Sequence, residues 1–379
     1  MNFKYLMMTA ILAIGLASCS NDDDNVDGGG VVTKDPKTVS LTLKQGKINT
    51  YADGPSAVGL SPTLSDAKVF FVGGGVILHQ GDVLAADISS NVGTKVFTGV
   101  PGAATEVYVV ANSATITLPA VTNGTTTLAA LKETLNNIES QTHPVDNVTL
   151  HGAATITNTN GNYTCAVQIA PAVSRIEISK IEAATSDVVV PLTAFQLDGI
   201  FINNTYSQLG LDYTSLPAPL TQGTNMFNYG QNDATSFVGG YLASLRDYDA
   251  SGLGGTGLVK EPTAAVWGYQ VFPLATATGT TIDGEAQSKV PMIILRITGA
   301  TAAGHTIPNP AFLTVKKFVT DDGNATPITA FQEGKVYQIS NILFGGEHLS
   351  SRPVVPTSSD ITVTVTVKDW EGVAIKPEL

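Results

Sequence analysis

The sequence predicts an all-β chain, and three observations carry that reading. Runs in which apolar and polar residues alternate recur along the 379 residues, at the two-residue period that turns one face of a strand to a core and the other to water. Turn formers are abundant, with 37 glycines and 19 prolines, as a chain of many short strands requires. Only one stretch, residues 126–138, carries helical spacing.

The opening residues lie outside that pattern. Lys4 sits in a short polar start, and the apolar run from Leu6 to Leu16 that follows is too short to span a bilayer, so residues 1–18 read as an export signal. The run ends in Leu16-Ala17-Ser18-Cys19, which resembles a bacterial lipobox, the motif in which the cysteine, here Cys19, is acylated and becomes the mature N-terminus. Several acyl chains, at about 0.8 kcal/mol per buried methylene, hold such a protein stably on a membrane. Residues 19–37 are acidic and glycine-rich and read as a solvated tether. Asp23, Asn25, Asp27 and Gly28 copy the first half of an EF-hand loop, but Lys34 stands where the bidentate Glu belongs, so no metal is expected there. An acidic run after the lipid cysteine resembles the signal that displays Bacteroidetes-type lipoproteins on the outer face of the outer membrane.

The body supplies strand-like runs in order: 38–44, 67–72, 95–97, 106–111, 163–169, 175–181, 194–203, 265–272, 292–298, 335–343, 361–367 and 373–375. They fill two domains, 38–171 and 172–379, divided near Pro171 where one alternating run ends and a new series begins. In the helical stretch Leu128, Leu131, Leu135 and Ile138 fall at i, i+3, i+7 and i+10 after a Thr-rich start that can cap, which predicts one short amphipathic helix in the first domain. Cys165 lies in an alternating run and has no partner once Cys19 is lipidated, so it reads as a small core residue. Residues 203–260 are rich in Tyr, Asn and Gly and read as surface loops.

The chemistry-bearing residues do not assemble into a catalytic pattern. His79, His143, His151, His305 and His348 are scattered, with neither zinc-ligand spacing nor a nucleophile elbow. Gly252-Leu-Gly-Gly-Thr-Gly257 satisfies G-x-G-x-x-G, yet neither a strand precedes it nor a helix follows it, so it reads as a flexible loop. Glu177, Glu182 and Asp198 could meet in space as a hydrolytic pair, which linear sequence does not decide. The reading is a protein with no catalytic residues, no metal and no cofactor. A net charge of −12 without a Lys/Arg cluster argues against a nucleic-acid partner.

The last strand stands apart. Ile361, Val363, Val365 and Val367 alternate with Thr362, Thr364, Thr366 and Lys368, behind a proline-punctuated spacer over 350–359 with no tight-turn signal. Such a strand either pairs within its own sandwich or travels to another molecule.

Several blocks, taken in order, resemble the fimbrillin family, the fimbrial subunits of Bacteroidetes-type (type V) pili. They are Thr38-Val-Ser-Leu-Thr-Leu-Lys44, Ala67-Lys-Val-Phe-Phe71, Phe97-Thr-Gly-Val-Pro101, Arg175-Ile-Glu-Ile-Ser-Lys180, Val266-Trp-Gly-Tyr-Gln-Val-Phe272 and Val363-Thr-Val-Thr-Val-Lys-Asp-Trp370. The resemblance implies two transthyretin-like Greek-key β-sandwiches, lipoprotein export, and a first strand removed by a trypsin-like protease. It also implies polymerisation in which C-terminal strands, here 361–375, fill the opened groove of the next subunit. The partners implied are other pilus subunits, the outer membrane through the Cys19 lipid, and a host or bacterial surface as adhesion target. Where the family usually has an arginine, this chain has Asn49-Thr-Tyr-Ala-Asp53, leaving Lys44 and Lys47 as the basic processing candidates. A minor, tip or anchor subunit fits as well. The alternative is a monomeric surface lipoprotein binding glycan or protein through loop aromatics near Tyr206, Tyr229 and Tyr241, with Trp267 ranked below them as a contact because it falls in a strand-like run.

Overall fold

Val39, Leu41 and Leu43, alternate residues of the first strand, are 0, 2 and 0% exposed, and one sheet is built outward from them on both sides. The computed structural model describes residues 35–45, 62–141, 148–217, 237–273, 281–282, 285–286, 290–353 and 361–369. Cys19, Lys47, Tyr229 and residues 373–375 lie outside the described residues. The architecture is all-β, and residues 34–379 form one compact unit.

The first sheet takes in β1 (Lys37–Gln45), β2 (Ala67–Gly73), β3 (Val76–Val83), β4 (Ile88–Ser89), β5 (Val92–Val100), β6 (Glu106–Ala111), β8 (Leu150–Thr155), β9 (Thr157–Thr159) and β10 (Asn162–Pro171), while β7 (Leu135–Asn137) stands outside it. Its order is β3-β2-β6-β8-β10-β1-β5-β4, with β9 on β10. β10 turns the corner: Tyr163 to Ile169 lie beside β1, and only Ala170 and Pro171 pair with β8. Gly152 permits that crossing, because a Cβ there would sit 2.0 Å from the Gln168 carbonyl oxygen.

The predicted helix is shorter than its periodicity. α1 spans Leu128–Lys132, capped by Thr127, whose hydroxyl accepts from Ala130 N at 3.1 Å. Leu135 lies instead in β7, which pairs with β14 (Gln208–Gly210), and Ile138 opens a 3-10 turn. The cause is tertiary: buried Asn136 accepts from Gln141 Nε2 at 2.8 Å, and Gln141 Oε1 accepts from Thr149 N at 2.7 Å. A polar knot replaces the second helical turn.

The second sheet comprises β11 (Ser174–Ile178), β13 (Leu192–Asn203), β15 (Arg246–Tyr248), β17 (Trp267–Val271), β20 (Met292–Ala302), β21 (Ala311–Thr320), β22 (Lys335–Ile339) and β24 (Ile361–Asp369). The order is β15-β13-β20-β21-β24-β22-β11-β17. A small sheet holds β12 (Ile181–Ala183) between β16 (Val259–Lys260) and β23 (Ile342–Phe344), and β18 (Thr281–Ile282) pairs with β19 (Glu285–Ala286). The runs expected at 175–181 and 335–343 are each broken in two, at matching places. β11 and β22 run parallel in one sheet, then β12 and β23 run parallel in the other, with Ser179 N donating to Ile339 O and Ile342 N to Lys180 O across the break.

Candidate strand-exchange site

β1 occupies a slot with a wall on either side. Val39 to Gln45 lie in register, parallel, with Tyr163 to Ile169 of β10, and Lys37 to Lys44 run antiparallel along Val100 to Val92 of β5. Every residue from Val39 to Lys44 therefore has a neighbouring strand on both edges. The inward row of β1 meets Cys165, Val167 and Ile169 on one wall and Phe97 on the other, all buried. Gly93 is the accommodating position, since a Cβ there would fall 3.2 Å from Val83 and 3.5 Å from Leu43. Lys37 closes the entry, donating to the Ala104 carbonyl with its ammonium 4.8 Å from the Tyr163 ring centroid. At the other end Gln45 Nε2 donates to Pro62 O at 2.5 Å.

Cys165 is the slot residue whose role is hidden in the sequence. Its Sγ donates to Ala154 O at 3.6 Å, and burial pushes the thiol pKa up to about 11. Alternation marks it as a core residue; its place opposite Leu41 follows only from the parallel register.

The last strand has a different attachment. Among the described residues, Ile361 to Val365 pair with β21 alone, and Thr366 to Asp369 pair with β22 alone. β24 thus passes from one row of strands to the other, and each paired residue has one neighbouring strand. Ile361, Val363 and Val365 are 7, 4 and 0% exposed, whereas Val367 is 38% exposed. The four-residue apolar row is buried only to the point where the strand changes partner. Thr366 Oγ1 donates to Asp321 Oδ2 at 3.2 Å just beyond it. The orientations of β1 and β24 correspond, each with one parallel and one antiparallel neighbour.

Of the remaining candidates, Lys44 is exposed at the end of β1. Tyr206, Tyr241 and Trp267 are 3, 5 and 8% exposed, so these aromatics are core residues and offer no face for a sugar. The carboxylates expected as a possible pair are each engaged elsewhere: Glu177 with Arg175 at 2.8 Å, Glu182 with Lys180 at 2.8 Å, and Asp198 with Arg296. The Lys180 ammonium and the Asn341 amide hold the Glu182 pKa below the usual carboxylate range. The glycine-rich loop wraps a lysine: Lys260 is 1% exposed, its Nζ donates to Gly255 O at 2.8 Å, and it lies 4.7 Å from the Phe195 ring centroid. Desolvation lowers the Lys260 pKa. Among the described residues no three His, Cys, Asp or Glu side chains gather as a metal site.

His151 belongs to a polar cluster that the sequence does not signal. Its Nδ1 lies 3.0 Å from Tyr108 Oη, and its Nε2 lies 2.6 Å from Tyr213 Oη and 3.2 Å from Glu333 Oε2. These groups tie the first sheet to two loops that come from beyond residue 200.

No protein-family model and no curated protein matches the sequence. Solved structures do match the fold. A fimbrilin of Porphyromonas gingivalis aligns with a TM-score of 0.55 at 14% identity, covering 91% of this chain and 100% of that one. A "putative cell adhesion protein" of Bacteroides eggerthii aligns at 0.54 with 19% identity, covering 90% and 98%, and another of the same name from Parabacteroides distasonis at 0.55 with 14% identity, covering 90% and 99%. Over nearly its whole length, the chain has the fold shared by the Porphyromonas fimbrilin and these Bacteroidetes proteins.

Proposed function

We propose that the chain is a structural subunit of a cell-surface fimbrium, exported as a lipoprotein through Cys19 and joined to its neighbours by exchange of the terminal strand. The observation that carries this reading is the unequal attachment of the two end strands. A β24 strand seated in the slot of another copy would gain a second neighbour at each residue, with its parallel and antiparallel sides already matched. Ile361, Val363 and Val365 are already buried beside β21, so the gain of the exchange lies in the second ladder of backbone pairs and not in new apolar burial. Shared backbone pairing adds to the hold and slows release. The slot must first lose β1, and Lys44, exposed at its end, together with Lys47, is the basic position at which a protease would cut. The domains 38–171 and 172–379 are then the receiving and donating halves. A fimbrium of such subunits sits on the outer membrane and presents an adhesive surface.

The test is Val363→Asp, which puts a charge where a nearly buried side chain now sits, at a cost of several kcal/mol. Surface-sheared material from cells making this variant should lack the SDS-resistant ladder that the wild type forms. N-terminal sequencing of the wild-type sheared material should begin after Lys44 or Lys47. A ladder of wild-type abundance from a folded Val363→Asp variant would overturn strand exchange.

A further inference from the structure

We propose that a cleft at the end of the β1 slot receives Trp370, and the residues after it, from a second copy of this chain, locking the exchanged strand in place. This rests on the strand-exchange reading and adds the tail's own binding site to it. The cleft has a volume of about 570 Å³ and is lined by residues 63–65 on one side and by Ala85, Ile88, Ser90 and Asn91 on the other. Its position is fixed by pairings already described. Gln45 reaches Pro62, next to Thr63. Ile88 and Ser89 lie beside Gly93 and Val92, which are in register with Leu43 and Lys44. Leu64 N donates to Asn91 Oδ1 at 3.3 Å, which joins the two walls. The cleft thus opens where the C-terminal end of β1 leaves the slot.

The occupant follows from the length and direction of the incoming strand. With β24 running as β1 does, matching Ile361, Val363 and Val365 to Val39, Leu41 and Leu43 brings Trp370 three positions past Gln45. Matching Val363, Val365 and Val367 instead brings it one position past. At about 3.3 Å per residue the indole lies within roughly 10 Å of the slot's end in either register. The chain continues there as Trp370-Glu-Gly-Val-Ala-Ile-Lys376, an aromatic followed by a carboxylate, a glycine and three apolar residues. A tryptophan buries about 150–250 Å² and is a common anchor of protein contacts, and a cleft of about 570 Å³ has room for such a group. Leu64 and Ile88 supply apolar wall, while Ser65 and Asn91 supply polar groups that an indole N–H could meet.

The experiment uses two full-length forms with different epitope tags, made in the same cells. One carries Ala85→Cys, at an exposed position of the cleft wall, the other Glu371→Cys, and both carry Cys165→Ser. Sheared fibres should contain a reducible band that joins the two tags. Trp370→Ala alone should leave ladders that fall apart at a lower temperature than wild type. Fibres that hold both tags without the joined band, or Trp370→Ala ladders with unchanged heat resistance, overturn the tail site and leave strand exchange standing. A cross-link formed only within one polypeptide, when both cysteines are placed on the same chain, also overturns it. Should sheared material contain no polymer of either tagged form or of wild type, the strand-exchange reading falls first and the tail site with it.

Discussion

Cys165 makes the opening of the β1 slot measurable without any polymer. Leu41 is in register with it and 2% exposed, so Leu41→Ala removes the side chain at the middle of the inward row. Truncations of this kind cost about 2–5 kcal/mol. If β1 can leave the slot while the sheets stay folded, that cost comes directly off the free energy of opening. Each 1.4 kcal/mol is tenfold, so the exposed population rises by about 30-fold to a few thousand-fold. The assay is the rate at which a thiol reagent modifies Cys165 near neutral pH in a Cys19→Ser background. In the closed state burial holds the thiol pKa at about 11, so the reactive thiolate arises mainly in the opened state. The comparison is Ile200→Ala, at a fully buried position of β13 in the other sheet, with a similar cost to overall stability. Equal acceleration by the two substitutions would refute the reasoning, because Cys165 would then be reached only through global unfolding.

Three further outcomes follow from packing and protonation. Stability should fall as pH rises above about 8.5–9. Burial raises the pKa of Cys165 to about 11 and of Tyr337 to about 12, and holds Tyr213, Tyr241 and Tyr269 well above the usual phenol value, so the unfolded chain loses these protons first and binds fewer in this range. A melting temperature that stays level from pH 8 to 11 contradicts this, and Cys165→Ser should remove the earliest part of the decline. Gly152→Ala drives a methyl into the Gln168 carbonyl and should prevent accumulation of folded protein, whereas the same change at the open Gly161 turn, where φ is 85°, should cost only about 1 kcal/mol; similar yields of the two variants would mean that β8 can shift away from β10. Tyr213→Phe removes one hydrogen-bond partner of His151 and should lower stability by about 0.5–1.5 kcal/mol in denaturant titration; an unchanged midpoint would contradict this and mean that the existing Glu333 contact alone satisfies His151 Nε2.

The strands that the sequence reveals are those rich in apolar strand formers, whether one face is buried, as in β1, or both, as in β6. The run expected at 38–44 is β1, and that at 106–111 is β6. β3, β8 and β21 escape notice for identifiable reasons. β3 carries His79, Gln80 and Gly81 in its middle, β8 is built from small residues, and β21 contains Lys316 and Lys317. The helix over 126–138 is over-read because leucine spacing persists after its partners change. The loop aromatics are misplaced for a related reason: Asn203 to Ser207 continue the buried run of β13, with Asn204 Nδ2 donating to Val290 O at 2.7 Å, so composition reads as surface what packing makes core. The two end strands, β1 and β24, are legible separately as alternating rows. Their relation is not, because it depends on which residues stand beside them in the sheet, and parallel neighbours such as β10 and β1 lie more than a hundred positions apart.

The two-sided pairing of β1 also fixes how a load would be borne. A pull along the strand axis acts in shear on both ladders, so the pairs between Val39 and Lys44 share the force and must slide together before any can part. A strand peeled from a single neighbour, such as β24 from β21, surrenders its pairs one after another. In the exchange proposed above, a strand seated in the β1 slot would carry axial tension on both ladders, and its tensile strength would grow with the length of its register.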